Sequence, residues 1–223
     1  MQNQDPQRKA PGRPRIFDRD KALETALQMF WRYGYEGTSV AQLVGAIGIT
    51  PPSFYAAFGS KEALYRETIG SYLKKYSNFV TRALASGLPV RESIRAMLYD
   101  AAESFSRDGM PRGCMVGSGN LRVGEESNTV ADLLTDIRTK TTQLVEGRMR
   151  RAIEEGELPA AVDAHALAVF MACIIQGMSV QAIDQTPLAV LKQTADLALL
   201  AFDQARKLGE GQAAGAVVLS TSH

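Results

Sequence analysis

The stretch Ile49 to Tyr65, ITPPSFYAAFGSKEALY, sets two adjacent prolines inside a segment whose apolar spacing is otherwise helical. Thr50 offers a side-chain oxygen to free backbone N–H groups. Pro51 then takes a first helical position, where a missing N–H costs nothing and the fixed backbone angle favours helix entry. The prolines therefore begin a helix rather than break one. Phe54 and Phe58 fall on its inner face, and Gly59 ends it after about two turns. Downstream, Ser60 caps a longer helix whose stripe runs through Tyr65, Ile69, Tyr72, Tyr76 and Val80. Upstream, Val40, Leu43, Val44 and Ile47 mark a short helix, capped by Thr38 or Ser39 and closed by Gly48. Before it, Leu23, Ala26, Leu27, Phe30 and Trp31 stripe a first helix that Gly34 closes. Two short helices joined by a tight glycine turn and braced by a longer one have the layout of a helix-turn-helix DNA reader. A reading helix lies in a major groove about 12 Å wide, so only its first turns reach base edges, which accounts for its brevity.

Charge is local rather than global. The 223-residue chain has a net charge of +1, which gives no overall attraction to polyanions. The segment QRKAPGRPRIFDRDK, however, carries six basic residues against two acidic ones. Such an arm follows a sugar-phosphate backbone or enters a minor groove. Two cysteines and no apolar leader predict a soluble cytoplasmic protein, and the apolar run Ala166 to Ile175 is too short to cross a bilayer. With His165 and His223 as the only histidines, no metal-ligand spacing is present, and no cofactor fingerprint occurs. A thiol hydrolase built from Cys114 and His165 lacks an oxyanion loop, so the chain does not read as an enzyme.

From Asp18 to about Tyr72 the sequence resembles the N-terminal domain of the tetracycline-repressor (TetR) family of bacterial transcription regulators. The likeness rests on ALQMFWRYGYEGTSVAQLVGAIGIT followed by SFYAAFGSKEALY, where Tyr55 and Phe58 precede Ser-Lys-Glu. It implies an all-α protein with a three-helix DNA-binding domain and a larger helical domain for ligand binding and dimerisation. It also implies homodimers that bind palindromic operators on double-stranded DNA and leave them when a small molecule binds. Carried over by position, Thr38, Ser39, Tyr55 and Lys61 contact phosphates, while Thr50, Pro51, Pro52, Ser53 and Ala56 face the bases; Arg13 and Arg15, read from the charge of the arm, follow the backbone or enter a minor groove. Family members often have Lys where Pro51 stands and His where Ala56 stands. Readout here then leans on thymine-methyl contacts, on Ser53 and Thr50, and on DNA shape.

The expected divisions are a basic arm at 1–17, the DNA-binding domain at 18–66, a helical ligand-binding and dimerisation domain at 67–208 and a flexible tail at 209–223. Within the third, helices follow Pro89, Asp163 and Pro187, and a long amphipathic one precedes Gly156. The last two are apolar over more than one face, which predicts pairing with the same two helices of a second subunit. Met97, Phe105, Met110, Met115, Phe170 and Gln176 are candidate walls of an adaptable ligand pocket. Cys114, in the Gly-rich RGCMVGSG, is either an inert small residue or a thiol that reports oxidants; Cys173 reads as packing. Besides the ligand-responsive repressor, a helical partner-binding protein without sequence-specific DNA binding and a regulator sensing redox state through Cys114 remain as alternatives.

Overall fold

A computed structural model describes residues 17–117 and 128–220; Arg13 and Arg15 of the predicted arm lie outside them. The described residues form α-helices and no strands. In chain order these are α1 (Arg19–Tyr33), α2 (Val40–Ile47), α3 (Pro51–Phe58), α4 (Lys61–Lys75), α5 (Phe79–Leu84), α6 (Val90–Phe105), α7 (Asn128–Glu154), α8 (Ala164–Ile183) and α9 (Leu188–Ser220).

The first four helices start as their caps dictate. The side chains of Asp18, Ser39, Thr50 and Ser60 accept hydrogen bonds from Lys21, Gln42, Ser53 and Ala63 respectively. Ser39 and Gln42 complete a reciprocal capping box. Their apolar faces meet in one core of Ala26, Leu27, Phe30, Leu43, Phe54, Leu64 and Tyr65, all without solvent exposure or nearly so. Burying one such Phe or Leu contributes about 1.5–3 kcal/mol. The aromatic stripe predicted to continue to Val80 is broken: α4 ends at Lys75, and Val80 belongs to the separate short helix α5. Ser77 and Asn78, poor helix formers that compete for backbone hydrogen bonds, occupy the corner. The expected division at residue 66 falls inside the unbroken α4.

The second core is built around α6, whose Ile94, Met97, Leu98, Ala101, Ala102 and Phe105 are fully buried among α5, α7, α8 and α9. Helix α6 starts at Pro89 without a side-chain cap. Glu157, from the α7–α8 connection, accepts the Val90 N–H instead, placing a carboxylate at the positive end of the helix. The same Glu157 pairs with Arg148 at 2.6 Å, whose side chain is only 5% exposed.

Helix α8 corrects the estimate from Ala166–Ile175. It spans 20 residues, long and apolar enough to cross a membrane by length and composition. Leu167, Ala168, Met171, Met178 and Ala182 nevertheless pack into the bundle. Its Cys173 is exposed rather than packed. Helix α9 continues to Ser220, past the expected tail boundary at 208.

A short strap, residues 113–117, joins the two cores. Met115 and Val116 are buried in the first core, and Cys114 packs against both. The Trp31 indole donates to the Gly113 carbonyl at 3.1 Å, and the Cys114 N–H donates to Ser179 Oγ on α8 at 2.8 Å. Gly113 is required there: it has φ +79°, and a Cβ would lie 2.7 Å from the Ile183 side chain.

Candidate nucleic-acid interface and ligand cavity

Helix α3 shows its two faces clearly. Phe54 and Phe58 anchor it in the core, while Thr50, Pro51, Pro52, Ser53, Tyr55 and Ala56 are exposed. The Thr50 and Ser53 hydroxyls lie 2.9 Å apart and share a hydrogen bond, so the polar groups at the tip of α3 hold one another in place. Tyr55 is 51% exposed, with its ring edge-on to Phe54 at 5.4 Å. From Gly37 to Ser60 the sequence contains no charged residue. The exposed surface of α2 and α3 is therefore neutral, and cationic contacts must come from its margins.

The predicted phosphate contacts are not equally placed. Ser39 is exposed at the start of α2, where its hydroxyl bonds Gln42. Thr38 is fully buried, and its hydroxyl donates to the Gly34 carbonyl at 2.8 Å. It stabilises the α1–α2 turn and presents no group to a phosphate, contrary to the sequence expectation. Lys61 Nζ donates to the Tyr35 carbonyl at 2.9 Å and lies 4.0 Å from the centre of the Tyr35 ring. It thus braces the same turn, with two N–H groups left for other acceptors. Burial, with Glu62 and Glu36 nearby, raises the Tyr35 phenol above its ordinary value. Arg19 of the basic segment is tied to Glu67 through two hydrogen bonds and lies over Phe58.

A cavity of about 320 Å3 opens where α5, α7, α8 and the strap meet. Leu73, Phe79, Val80, Ile137, Val145 and Ile175 supply its apolar wall; Asn78, Thr141, Gln176 and Arg138 supply polar groups. Of the six ligand residues expected from sequence, only Gln176 lines it. Met97 and Phe105 are packed in the second core and Met115 in the first, while Met110 is half-buried against the first. Phe170 faces a separate hollow beside Val162 and Leu208. Methionine content marked adaptable core, whereas the cavity arises from the α4–α5 corner, whose only sequence signal is Ser77–Asn78. Cys114 does border the cavity, its Sγ accepting the Gly117 N–H at 3.3 Å.

Among the described residues no group of three or more His, Cys, Asp or Glu side chains is arranged to hold a metal.

Two family models match the two cores in turn: bacterial regulatory proteins of the tetR family over residues 22–68, and the tetracyclin repressor-like C-terminal domain over residues 90–194. The chain is 33% identical over 196 residues to the HTH-type transcriptional repressor ComR of Escherichia coli K12, covering 86% of this chain and 92% of ComR. With the repressor BdcR of the same organism it shares 37% identity over 113 residues, 51% of this chain and 57% of BdcR. Its fold superimposes on a cysteine-substituted form of the TetR family regulator CifR complexed with 26bp double-strand operator DNA. That match has a TM-score of 0.80 and 42% identity, covering 85% of this chain and 99% of CifR. A helix-turn-helix head joined to a helical bundle agrees with the likeness to ComR and CifR, each of which spans more than four-fifths of this chain. The protein is a DNA-binding transcriptional regulator, not an enzyme, and it belongs to the TetR family.

Proposed function

We propose that this regulator is a homodimeric, cytoplasmic repressor that holds a palindromic operator and is released from it by a small molecule in the α5–α7–α8 cavity. The observation that carries the proposal is the exposed first turn of α3, fixed from below by Phe54 and Phe58. Thr50, Pro51, Pro52, Ser53 and Ala56 meet base edges; Ser39, Tyr55, Lys61 and the arm residues Arg13 and Arg15 meet phosphates. Thr38 acts behind them, through the turn it holds.

Dimerisation is supported by apolar stripes left uncovered on the last two helices. On α8, Val169, Cys173, Val180 and Ile183 recur at helical spacing and are exposed. On α9, Leu197 and Leu200 are 66% and 63% exposed. Facing copies of α8 and α9 form a closed four-helix interface and set two reading heads about one DNA turn apart, roughly 34–36 Å.

The test is selection of genomic fragments by the purified protein at near-physiological salt, followed by sequencing. A recurring palindrome is expected. Retention without a shared site, or no retention, would favour the helical partner-binding alternative. Tyr55→Phe combined with Lys61→Ala should weaken binding to all sequences, whereas Ser53→Ala should change preference at particular bases.

A thiol-based response through Cys114 is the second reading, favoured by the position of its sulfur at the cavity wall. Cys114→Ser separates the two. It leaves release by a non-covalent ligand intact, and abolishes release by oxidants or alkylating agents.

A further inference from the structure

Among the described residues, the wall of the α5–α7–α8 cavity contains two cations, Arg138 and Lys140, and no aspartate or glutamate. Lys140 already has a partner: it pairs with Asp136 at 2.6 Å on the exposed face of α7. Arg138 differs. Among the described residues its hydrogen bonds go to neutral acceptors, the Val116 carbonyl at 3.1 Å and Thr135 Oγ1 at 3.0 Å, and it forms no ion pair. A guanidinium stays protonated at any physiological pH and has five N–H donors in a planar fork suited to carboxylates. Here that fork stands at the edge of a largely apolar chamber with no counter-charge among the described residues of its wall.

We infer that the cavity selects a monoanionic amphiphile, with its carboxylate on Arg138 and its hydrocarbon body against Phe79, Val80, Ile137, Val145 and Ile175. This rests on reading the cavity as the effector site and adds the chemical class of the effector. A neutral molecule leaves the Arg138 charge uncompensated, and a cationic one is repelled by it. The hydrocarbon contributes affinity through buried area, while the carboxylate contributes selectivity through charge-assisted hydrogen bonds.

The same residue supplies a route to the DNA-binding head. The carbonyl that Arg138 holds belongs to Val116 of the strap, whose Gly113 carbonyl in turn holds Trp31 of α1. A carboxylate is a stronger acceptor than a peptide carbonyl and draws the guanidinium away from it. The occupied cavity therefore relaxes a segment that joins the bundle to the head, which is the differential interaction that ligand-driven release requires.

The experiment is calorimetric titration of the full-length, DNA-free protein with octanoate, 1-octanol and octyltrimethylammonium, each kept below micelle-forming concentrations. Octanoate is expected to bind about tenfold or more tighter than octanol, and the cation weakest. Arg138→Gln should bring octanoate and octanol to parity, and Arg138→Lys should keep part of the preference. Equal affinity for the acid and the alcohol, tighter binding of the cation, a preference that survives in Arg138→Gln, or no binding by any of the three would each overturn the proposal. If Arg138→Gln does not fold, as judged by circular dichroism, the ranking of probes on the natural chain still decides. Because no DNA is present, failure of the ligand class is read separately from failure of the repressor reading, which the fragment selection tests.

Discussion

The DNA-binding head and the helical bundle are both all-α, and α8 of the bundle starts on the Asp163 cap as the head's helices do on theirs, but two other bundle helices begin differently. In the head, α1 to α4 each start on a side chain that caps the next turn: Asp18, Ser39, Thr50 and Ser60. In the bundle, α5 and α6 start at Asn78 and Pro89 with no side-chain cap, and α6 relies on Glu157 from 67 residues away. The head thus specifies its helix ends by interactions three residues apart, while part of the bundle must assemble before its ends are satisfied. Local specification suits a module that presents short helices at a fixed angle. Distant specification suits one whose helices shift when a cavity is filled.

The largest expected effect that tests this contrast is removal of an anchor. Phe54→Ala should cost about 3–5 kcal/mol, and DNA binding should be lost before the bundle melts, as followed by urea denaturation alongside operator binding. If head and bundle still unfold in one transition at the lowered midpoint, the two cores are a single cooperative unit and the contrast is one of folding order alone.

Arg148→Ala should cost about 1.5–3 kcal/mol, because it removes the charge-assisted hydrogen bonds to Glu157 beside the α6 terminus. A linked pH effect follows. Burial pushes the Glu157 carboxyl up, but the Arg148 hydrogen bond and the Val90 N–H outweigh it and hold the group below its ordinary 4.5. A depressed carboxylate contributes stability that is complete above pH 4.5 and is lost as the pH falls through the lowered value. The stability gap between the natural chain and Glu157→Gln should therefore close on acidification below pH 4.5. A gap that stays constant would break the claim that Glu157 acts as an anion.

Smaller changes sharpen the comparison in the head. Thr50→Ala should cost about 1 kcal/mol, the usual worth of an N-cap, with little change at the bundle. Tyr55→Phe should leave the melting temperature unchanged and lower affinity for every DNA sequence by about fivefold, the loss of one phosphate hydrogen bond. A change in base preference instead would move Tyr55 from the phosphates to the base edges.

These two modes of specification also explain what the sequence made legible. Thr50-Pro51, Gly59 and Ser60 announce the α3 boundaries because capping and proline geometry act within one turn. The exposure of Tyr55 beside buried Phe54 follows from helical phase. Thr38 was misread because its hydroxyl turns inward to Gly34, a choice made by the packing of the α1–α2 turn. The cavity was missed for a related reason. Its wall gathers Phe79, Arg138 and Gln176 from three helices, and nothing in their local spacing announces that they converge. Methionine and phenylalanine content pointed instead to core positions such as Met97, Phe105 and Met115, which are buried away from the cavity.

The Trp31–Gly113 hydrogen bond has a practical consequence. Trp31 is the only tryptophan in the chain, 7% exposed and flanked by Tyr72 and Tyr76 at the seam between head and bundle. Its fluorescence therefore comes from one place, the contact that α1 makes with the strap. Separation of the indole N–H from the Gly113 carbonyl admits water to the ring and shifts emission to longer wavelength. The regulator thus carries an intrinsic optical gauge of its own coupling, readable in solution without a label or a promoter.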